Sequence, residues 1–270
     1  NWWATEYQPA LSSSIDYLDE ATRTFQALWS HNVAVDVITP DTPLDGYQLI
    51  VAPLLHLLTA EQGAAIERFV AAGGVFLTTY YSGIVDEDGR AWLGGYPGPL
   101  RKMLGIWVEE SDPLLPGSRN AVAVSQELDE SMPRYQCELW CDIVRLEGAE
   151  ALAVFIDDFY AGMPAITRNH FGQGTAYYLA TRPEQGLLDH LVSAILDQID
   201  VSAPIDAPTG VEIIQRDGND DTFTFVLNHT AATQTIPLPA AMRNLLDRAE
   251  YRDAIELPPR GVAILVAESR

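Results

Sequence analysis

Two uncharged, strand-length runs constrain this chain most. Tyr47-Gln48-Leu49-Ile50-Val51-Ala52-Pro53 and Val75-Phe76-Leu77-Thr78-Thr79 carry no charge on either alternation of side chains. Each therefore reads as a strand covered on both faces. Between them Ala65, Ile66, Phe69 and Val70 recur at helical spacing, with Glu61 and Glu67 on the polar side, and predict a helix over 60–71. Thr59 is placed to cap its start and Gly73-Gly74 to stop it. Upstream, Leu18, Ala21, Phe25 and Leu28 form another apolar helical face, with Ser14 and Asp16 or Ser13 as its cap. Asn32 to Ile38 predicts a short β-branched strand, and Thr39-Pro40-Asp41-Thr42-Pro43 a loop.

Strands covered on both faces and joined by amphipathic helices imply a parallel sheet between two helical layers, with right-handed crossovers. The expected fold class is α/β: a three-layer flavodoxin-like or glutamine-amidotransferase-like domain. Farther on, 135–144, 151–156 and 175–180 read as strands, with Gly172-Gln173-Gly174 as a tight turn before the last. A helix over about 183–199 turns Leu187, Leu188, Leu191, Ile195 and Ile199 inward. The proline-rich stretch Ala203–Gly210 is the best linker. Beyond it, 211–216, 222–228, 233–238 and 261–266 alternate as short strands, separated by turns such as Asp217-Gly218-Asn219-Asp220. The expected domains are 1–205, the layered domain, and 208–270, a small antiparallel β domain.

Charge narrows the function classes. With 16 basic and 38 acidic residues the chain carries −22. It lacks the clustered cations that displace counterions from phosphates, which argues against nucleic acid and against an anionic membrane surface. No apolar run is long enough to span a bilayer as a helix. Two cysteines, Cys137 and Cys141, make no disulfide framework, and a cytoplasmic home is expected. On a regular strand they stand about 13 Å apart, too far for a shared zinc ion or a disulfide, so buried free thiols are expected. Only a helix or a bulge would bring them together.

Catalytic patterns are weak. In the place of a nucleophile elbow stands Thr79-Tyr80-Tyr81-Ser82-Gly83, where Ser82 lacks the preceding glycine and no cysteine is present, so a plain loop is expected. His56 follows the carboxyl end of a strand, the edge where α/β sheets bind ligands, but reads as a core or loop histidine. With His31, His170, His190 and His229 it forms no zinc pattern. Asp157-Asp158, Glu109-Glu110 and Asp86-Glu87-Asp88 read as solvated turns or strand ends, not a glycosidase pair. Gly94-Gly95-Tyr96-Pro97-Gly98 has the wrong spacing for a phosphate cradle. No catalytic residue, cofactor or metal ligand is assigned. Trp2, Trp3, Trp92 and Trp107 suit core or subunit contact, or a sugar platform.

One stretch is more specific. Asp86-Glu-Asp-Gly-Arg-Ala-Trp-Leu-Gly-Gly-Tyr-Pro-Gly-Pro-Leu-Arg101, continued by Leu104-Gly-Ile-Trp-Val-Glu-Glu110, resembles the middle domain of the family 42 glycoside hydrolases, the β-galactosidases. Trp2-Trp3, Leu28-Trp29, Val35-Asp36, Tyr47–Pro53 with Leu57-Leu58-Thr59, Gly73-Gly74 and Ser82-Gly83 are similar in order and spacing. Phe225-Val226-Leu227-Asn228-His229 and Pro259 with Gly261-Val262-Ala263 resemble that family's small C-terminal β domain.

The resemblance implies a catalytic (β/α)8 barrel bearing the two glutamates, then an amidotransferase-like trimerisation domain, then the β domain. A barrel needs about 250 residues, and the chain has neither room for one nor the Asn-Glu dipeptide typical of the acid/base motif. The start at Asn1, with no Met, fits a chain beginning after its catalytic domain. The expected function is therefore non-catalytic: a homotrimer-forming portion of a β-galactosidase, meeting the galactoside only through the barrel. The candidate subunit-interface residues are Trp92, Gly94, Gly95, Tyr96, Pro97 and Gly98. Alternatives are a stand-alone carbohydrate-binding or interaction protein, and an amidotransferase-like enzyme with an atypical nucleophile.

Overall fold

The computed structural model describes residues 1–7, 14–126, 128, 134–218 and 221–267. Ser13 and the Asn219-Asp220 part of the predicted turn lie outside the described residues. The chain forms two compact units. One takes Asn1–Thr24 and Ile38–Leu191, the other Phe25–Val37 and Val192–Arg270.

The first unit holds α1 (Trp2–Tyr7), most of α2 (Tyr17–Trp29), β1 (Leu49–Ala52), α3 (Ala60–Ala71), β2 (Val75–Thr79) and α4 (Arg101–Leu104). A run of strands follows: β3 (Ile106–Pro113), β4 (Arg119–Val124), β5 (Arg134–Leu146), β6 (Glu150–Phe155), β7 (Pro164–Phe171), β8 (Gly174–Leu179) and β9 (Thr181–Pro183). Then α5 (Gln185–Gln198) begins.

The strands form one nine-stranded sheet of order β1-β2-β8-β7-β6-β4-β5-β3, with β9 paired to β5. Only β1, β2 and β8 are mutually parallel. The expected parallel sheet is therefore a mixed one, because β6, β7 and β8 follow each other by short reversals and pair antiparallel. The Gly172-Gln173 turn lies against the end of α3, where a Cβ on Gly174 would fall on the carbonyl oxygens of Val70 and Gly74. Helix α3 has the predicted limits. Thr59 Oγ1 accepts from Gln62 N at 3.1 Å and Gln62 Oε1 from Thr59 N at 3.0 Å, a reciprocal capping box.

The sequence expectation fails for two segments. Asp16 caps α2, its Oδ1 accepting from Asp19 N at 2.9 Å. Yet the buried face of α2 is not the apolar stripe: Leu18 and Phe25 are 58% and 39% exposed, while Glu20, Arg23, Thr24, Ala27 and Leu28 are buried. The reason is a buried polar pair. Arg23 donates to Glu20 and, at 2.5 Å, to the Pro183 carbonyl, so the charged positions of the helix have internal partners. Burial raises the Glu20 carboxyl above its ordinary pKa, and Arg23 and Arg182 pull it back.

The second unit contains β10 (Val211–Asp217), β11 (Thr222–Asn228), β12 (Gln234–Pro237), β13 (Met242–Asn244), β14 (Glu250–Tyr251), β15 (Ala254–Leu257) and β16 (Val262–Ala267). They form a five-stranded antiparallel sheet, β10-β11-β16-β13-β14, and a two-stranded one, β12-β15. Val211, Ile213, Val226 and Leu265 from the larger sheet and Ile236, Ile255 and Leu257 from the smaller share one core. Residues 32–38, predicted as a strand, are not one. Asn32, at φ +53, donates its side-chain amide to the Val211 carbonyl at 3.1 Å and accepts from Ile213 N at 2.9 Å. One side chain thus occupies the edge groups of β10 that a neighbouring strand would have used.

Candidate functional site

The ends of the parallel strands are where an α/β sheet would place chemistry. Here β1 runs into Leu54 and β2 into Tyr81, both at positive φ, +46 and +60. Tyr81 thus has the sharp left-handed turn of an elbow, but its neighbourhood is filled. Ile15, Leu54, Tyr80, Tyr81 and Trp140 form one buried cluster. Tyr81 stacks on His56 with ring centroids 4.4 Å apart and meets the edge of Trp140 at 5.0 Å. Burial lowers the His56 imidazole to about 4, so the ring is neutral at pH 7. Its Nδ1 is buried without a hydrogen-bond partner among the described residues.

Ser82 does not pair with His56. Its hydroxyl accepts from Leu55 N at 2.9 Å and exchanges a hydrogen bond with Thr78 Oγ1 at 2.9 Å. It fastens one strand end to the next, as a plain loop serine does. Beneath the rings lies Asp142, 2% exposed, accepting from Ser111 Oγ at 2.6 Å, Trp140 Nε1 at 2.7 Å and Tyr178 OH at 2.6 Å. Burial raises its pKa, and these donors, with the Tyr81 backbone, oppose the rise. The acid is consumed by structure, with its acceptor sites directed at fixed partners.

The loop between β2 and α4 is built differently. Gly83, at φ +62, lies against Pro97, where a Cβ would come within 2.5 Å of the carbonyl oxygen. Gly98, at φ +46, has the Trp92 ring where its own Cβ would be, 2.7 Å away. Trp92 Nε1 donates to the Leu58 carbonyl at 3.3 Å, and Tyr96 accepts from Val108 N at 3.0 Å. Arg101 lies over the Trp107 ring at 5.3 Å and forks onto Glu147 at 2.7 and 2.5 Å. Those bonds hold the Glu147 carboxyl below its ordinary pKa.

The six residues singled out in the sequence therefore share one loop. Gly94 is exposed, Trp92, Gly95, Tyr96 and Gly98 are half-buried, and Pro97 is buried. Sequence reasoning passed over Leu93, which stands in their midst 95% exposed. An apolar residue flanked by Trp92 and Gly94 is the signal that would have found it.

The remaining candidates are dispersed. Glu109 pairs with Arg145, Asp86 Oδ1 accepts from Asp88 N and Arg90 N in a turn, and Asp157 and Asp158 are exposed. His229 meets Glu212 at 2.7 Å and His190 meets the Tyr135 hydroxyl at 2.5 Å. Among the described residues no three His, Cys, Asp or Glu side chains could hold a metal ion, and no helix is long and apolar enough to cross a membrane. Cys137 and Cys141 are free and buried. The regular strand behind the expected separation of about 13 Å is interrupted: Leu139 stands at φ +70 between them, and the register with β9 shifts so that Cys137 faces Pro183 and Cys141 faces Thr181.

Comparison with known proteins bears on this arrangement. Residues 1–202 match the family model described as the β-galactosidase trimerisation domain, and residues 210–267 that of the β-galactosidase C-terminal domain. The β-galactosidase BgaA of a Planococcus species is 40% identical over 266 residues, 98% of this chain but 39% of that protein. The β-galactosidase LacZ of Heyndrickxia coagulans is 37% identical over a similar span. The crystal structure of a β-galactosidase from Bacillus circulans sp. alkalophilus superposes with a TM-score of 0.91 at 37% identity, covering 95% of this chain and 38% of that one. The chain thus spans about two-fifths of the length of the curated relatives it matches.

Proposed function

This chain belongs to the family 42 β-galactosidases through its trimerisation and C-terminal domains, and from that premise we propose that it works in assembly and leaves the chemistry to another part of the protein. In this reading the whole protein hydrolyses terminal non-reducing β-D-galactose residues by a retaining mechanism with two glutamates. The portion described here holds its subunits as a homotrimer.

The observation that carries the reading is the contrast at the parallel strand ends. The elbow-like turn at Tyr81 is packed with His56, Tyr81 and Trp140, and its serine and acid are bonded to structural partners. Self-contact is assigned to the loop of Trp92, Gly94, Gly95, Tyr96, Pro97 and Gly98, with Leu93 as its apolar tip. Shape-fixed backbone around one exposed leucine is what an interface anchor needs.

The same reading takes residues 1–205 as the assembly domain, of amidotransferase-like layered fold, and 208–270 as the β domain. The left-handed turn after β2 supports the fold relationship. A cytoplasmic home is supported by the free thiols of Cys137 and Cys141.

Two measurements test the proposal together. The chain turns over no chromogenic β-galactoside, and the self-association of the full-length protein, followed by sedimentation, weakens in Leu93→Asp. Turnover that disappears on replacing one carboxylate of this chain overturns it. Calorimetric heat on adding galacto-oligosaccharides to the chain favours a carbohydrate-binding module instead.

A further inference from the structure

We propose that Cys137 and Cys141 are a redox-sensitive pair that closes to an intrachain disulfide across the bulge of β5. The geometry begins with the ladders. Along one edge of β5, Cys137 pairs with Asn120 of β4 and Cys141 with Asp112 of β3. On the other edge Cys137 faces Pro183 and Cys141 faces Thr181 of β9, with a register shift between. Residues four apart on β5 therefore stand opposite residues only two apart on β9. That compresses their separation from about 13 Å to about 7 Å, close to the upper end of the Cα range seen in disulfides.

Leu139, at φ +70, takes up the extra backbone, and its carbonyl accepts from Leu114 N at 3.0 Å just where β3 ends. Both cysteines face inward, 1% and 0% exposed. Cys141 Sγ lies 3.6 Å from Thr181 Oγ1.

The two sulfurs are inequivalent. The Cys141 thiol, the Thr181 hydroxyl and the Asn120 backbone favour the Cys137 thiolate and hold its pKa below the ordinary thiol value against burial. Cys141 is pushed up by the same contact and by burial. Cys137 is therefore the attacking group. Its thiolate displaces one thiolate from a small-molecule disulfide and forms a mixed disulfide. Cys141 then gives its proton to the released thiolate and attacks Cys137 Sγ, expelling the second thiolate, which takes up the Cys137 proton. One protein S–S bond replaces the oxidant's S–S bond. The protein loses two electrons and two protons, and two small thiols form. The ring closed in this way contains Leu139 and Trp140, so oxidation fixes the bulge that directs Trp140 onto Tyr81.

The test exposes the purified chain to a series of oxidised glutathione concentrations, with acid quenching, free-thiol counting and intact mass. The expected product has lost two hydrogens, lost both thiols together and is restored by dithiothreitol. Its thermal midpoint is higher than that of the reduced chain. Cys141→Ser stops at a glutathione adduct on Cys137, and Cys137→Ser forms far less adduct. The untreated sequence decides the matter even if a variant misfolds. Thiols that stay free in the folded chain and oxidise only at urea concentrations that unfold it overturn the proposal. So does a covalent dimer in place of the intrachain product.

Discussion

At Gly83 two neighbouring segments part company. Before it, at the ends of β1 and β2, the chain directs Leu54, Tyr80, Tyr81 and Ser82 into the interior, each 3% exposed or less. After it, the loop to α4 leaves Gly94 in solvent and Leu93 95% exposed. Both use backbone at positive φ, and both resemble places where proteins put function. The difference lies in what the strained backbone presents. In the first it inserts rings into a closed cluster whose polar atoms mostly bond inward. In the second, glycines let Trp92 and Pro97 pack closely enough to brace an apolar tip that nothing among the described residues covers. Strain alone does not mark a site; strain that holds an uncovered group does.

Substitutions can break that contrast, and the largest effect is expected inside. Trp140→Ala removes a ring that is 1% exposed and a donor to Asp142. It should cost about 3–5 kcal/mol in urea unfolding, and a cost under about 1 kcal/mol would mean that the strand ends are not a packed core.

His56 gives the next effect, through pH. Its folded pKa of about 4 lies below the ordinary value. The unfolded chain therefore binds the proton first, and stability falls as pH drops from about 6.5 toward 4, by up to about 3 kcal/mol. Asp142, whose pKa is raised, acts in the opposite sense and gains stability as pH falls toward the ordinary carboxylate range. His56→Phe should flatten the histidine part of the curve, and an unchanged curve would remove His56 as its source.

In the loop, Gly98→Ala forces a Cβ to within 2.7 Å of the Trp92 ring at φ +46. A loss of about 1–3 kcal/mol is expected, together with weaker self-association. Leu93→Asp is the smallest in stability, within about 0.5 kcal/mol. It should nonetheless weaken assembly about tenfold or more by sedimentation. Unaltered assembly in both loop variants would move the contact elsewhere.

Much of the frame was legible. Uncharged runs gave β1 and β2, the Thr59 and Gln62 box bounded α3, and alternation gave β10, β11, β12 and β16 but not the short β13, β14 and β15, because each signal is local. Partner choice was not. Glu20 and Arg23 read as surface, since a buried ion pair is written in the same letters as a solvated one. Asn32 gave no hint that its side chain would take the edge of β10 and exclude a strand. Leu139 at φ +70 carries no sequence signal at all, yet the bulge there sets Cys137 and Cys141 opposite residues only two apart on β9.

By itself the sequence determined the types of β1, β2, α3 and α5, the family motif around Gly94–Arg101 and the weakness of every catalytic pattern. All of these depend on residues a few positions apart. The tertiary structure decided that β1, β2 and β8 run parallel while the other described strands of their sheet pair antiparallel, that the elbow is filled, that Leu93 is left outside, and that β5 bulges between its thiols. Each of those follows from contacts between segments distant in sequence, where packing and hydrogen-bond supply outweigh local preference.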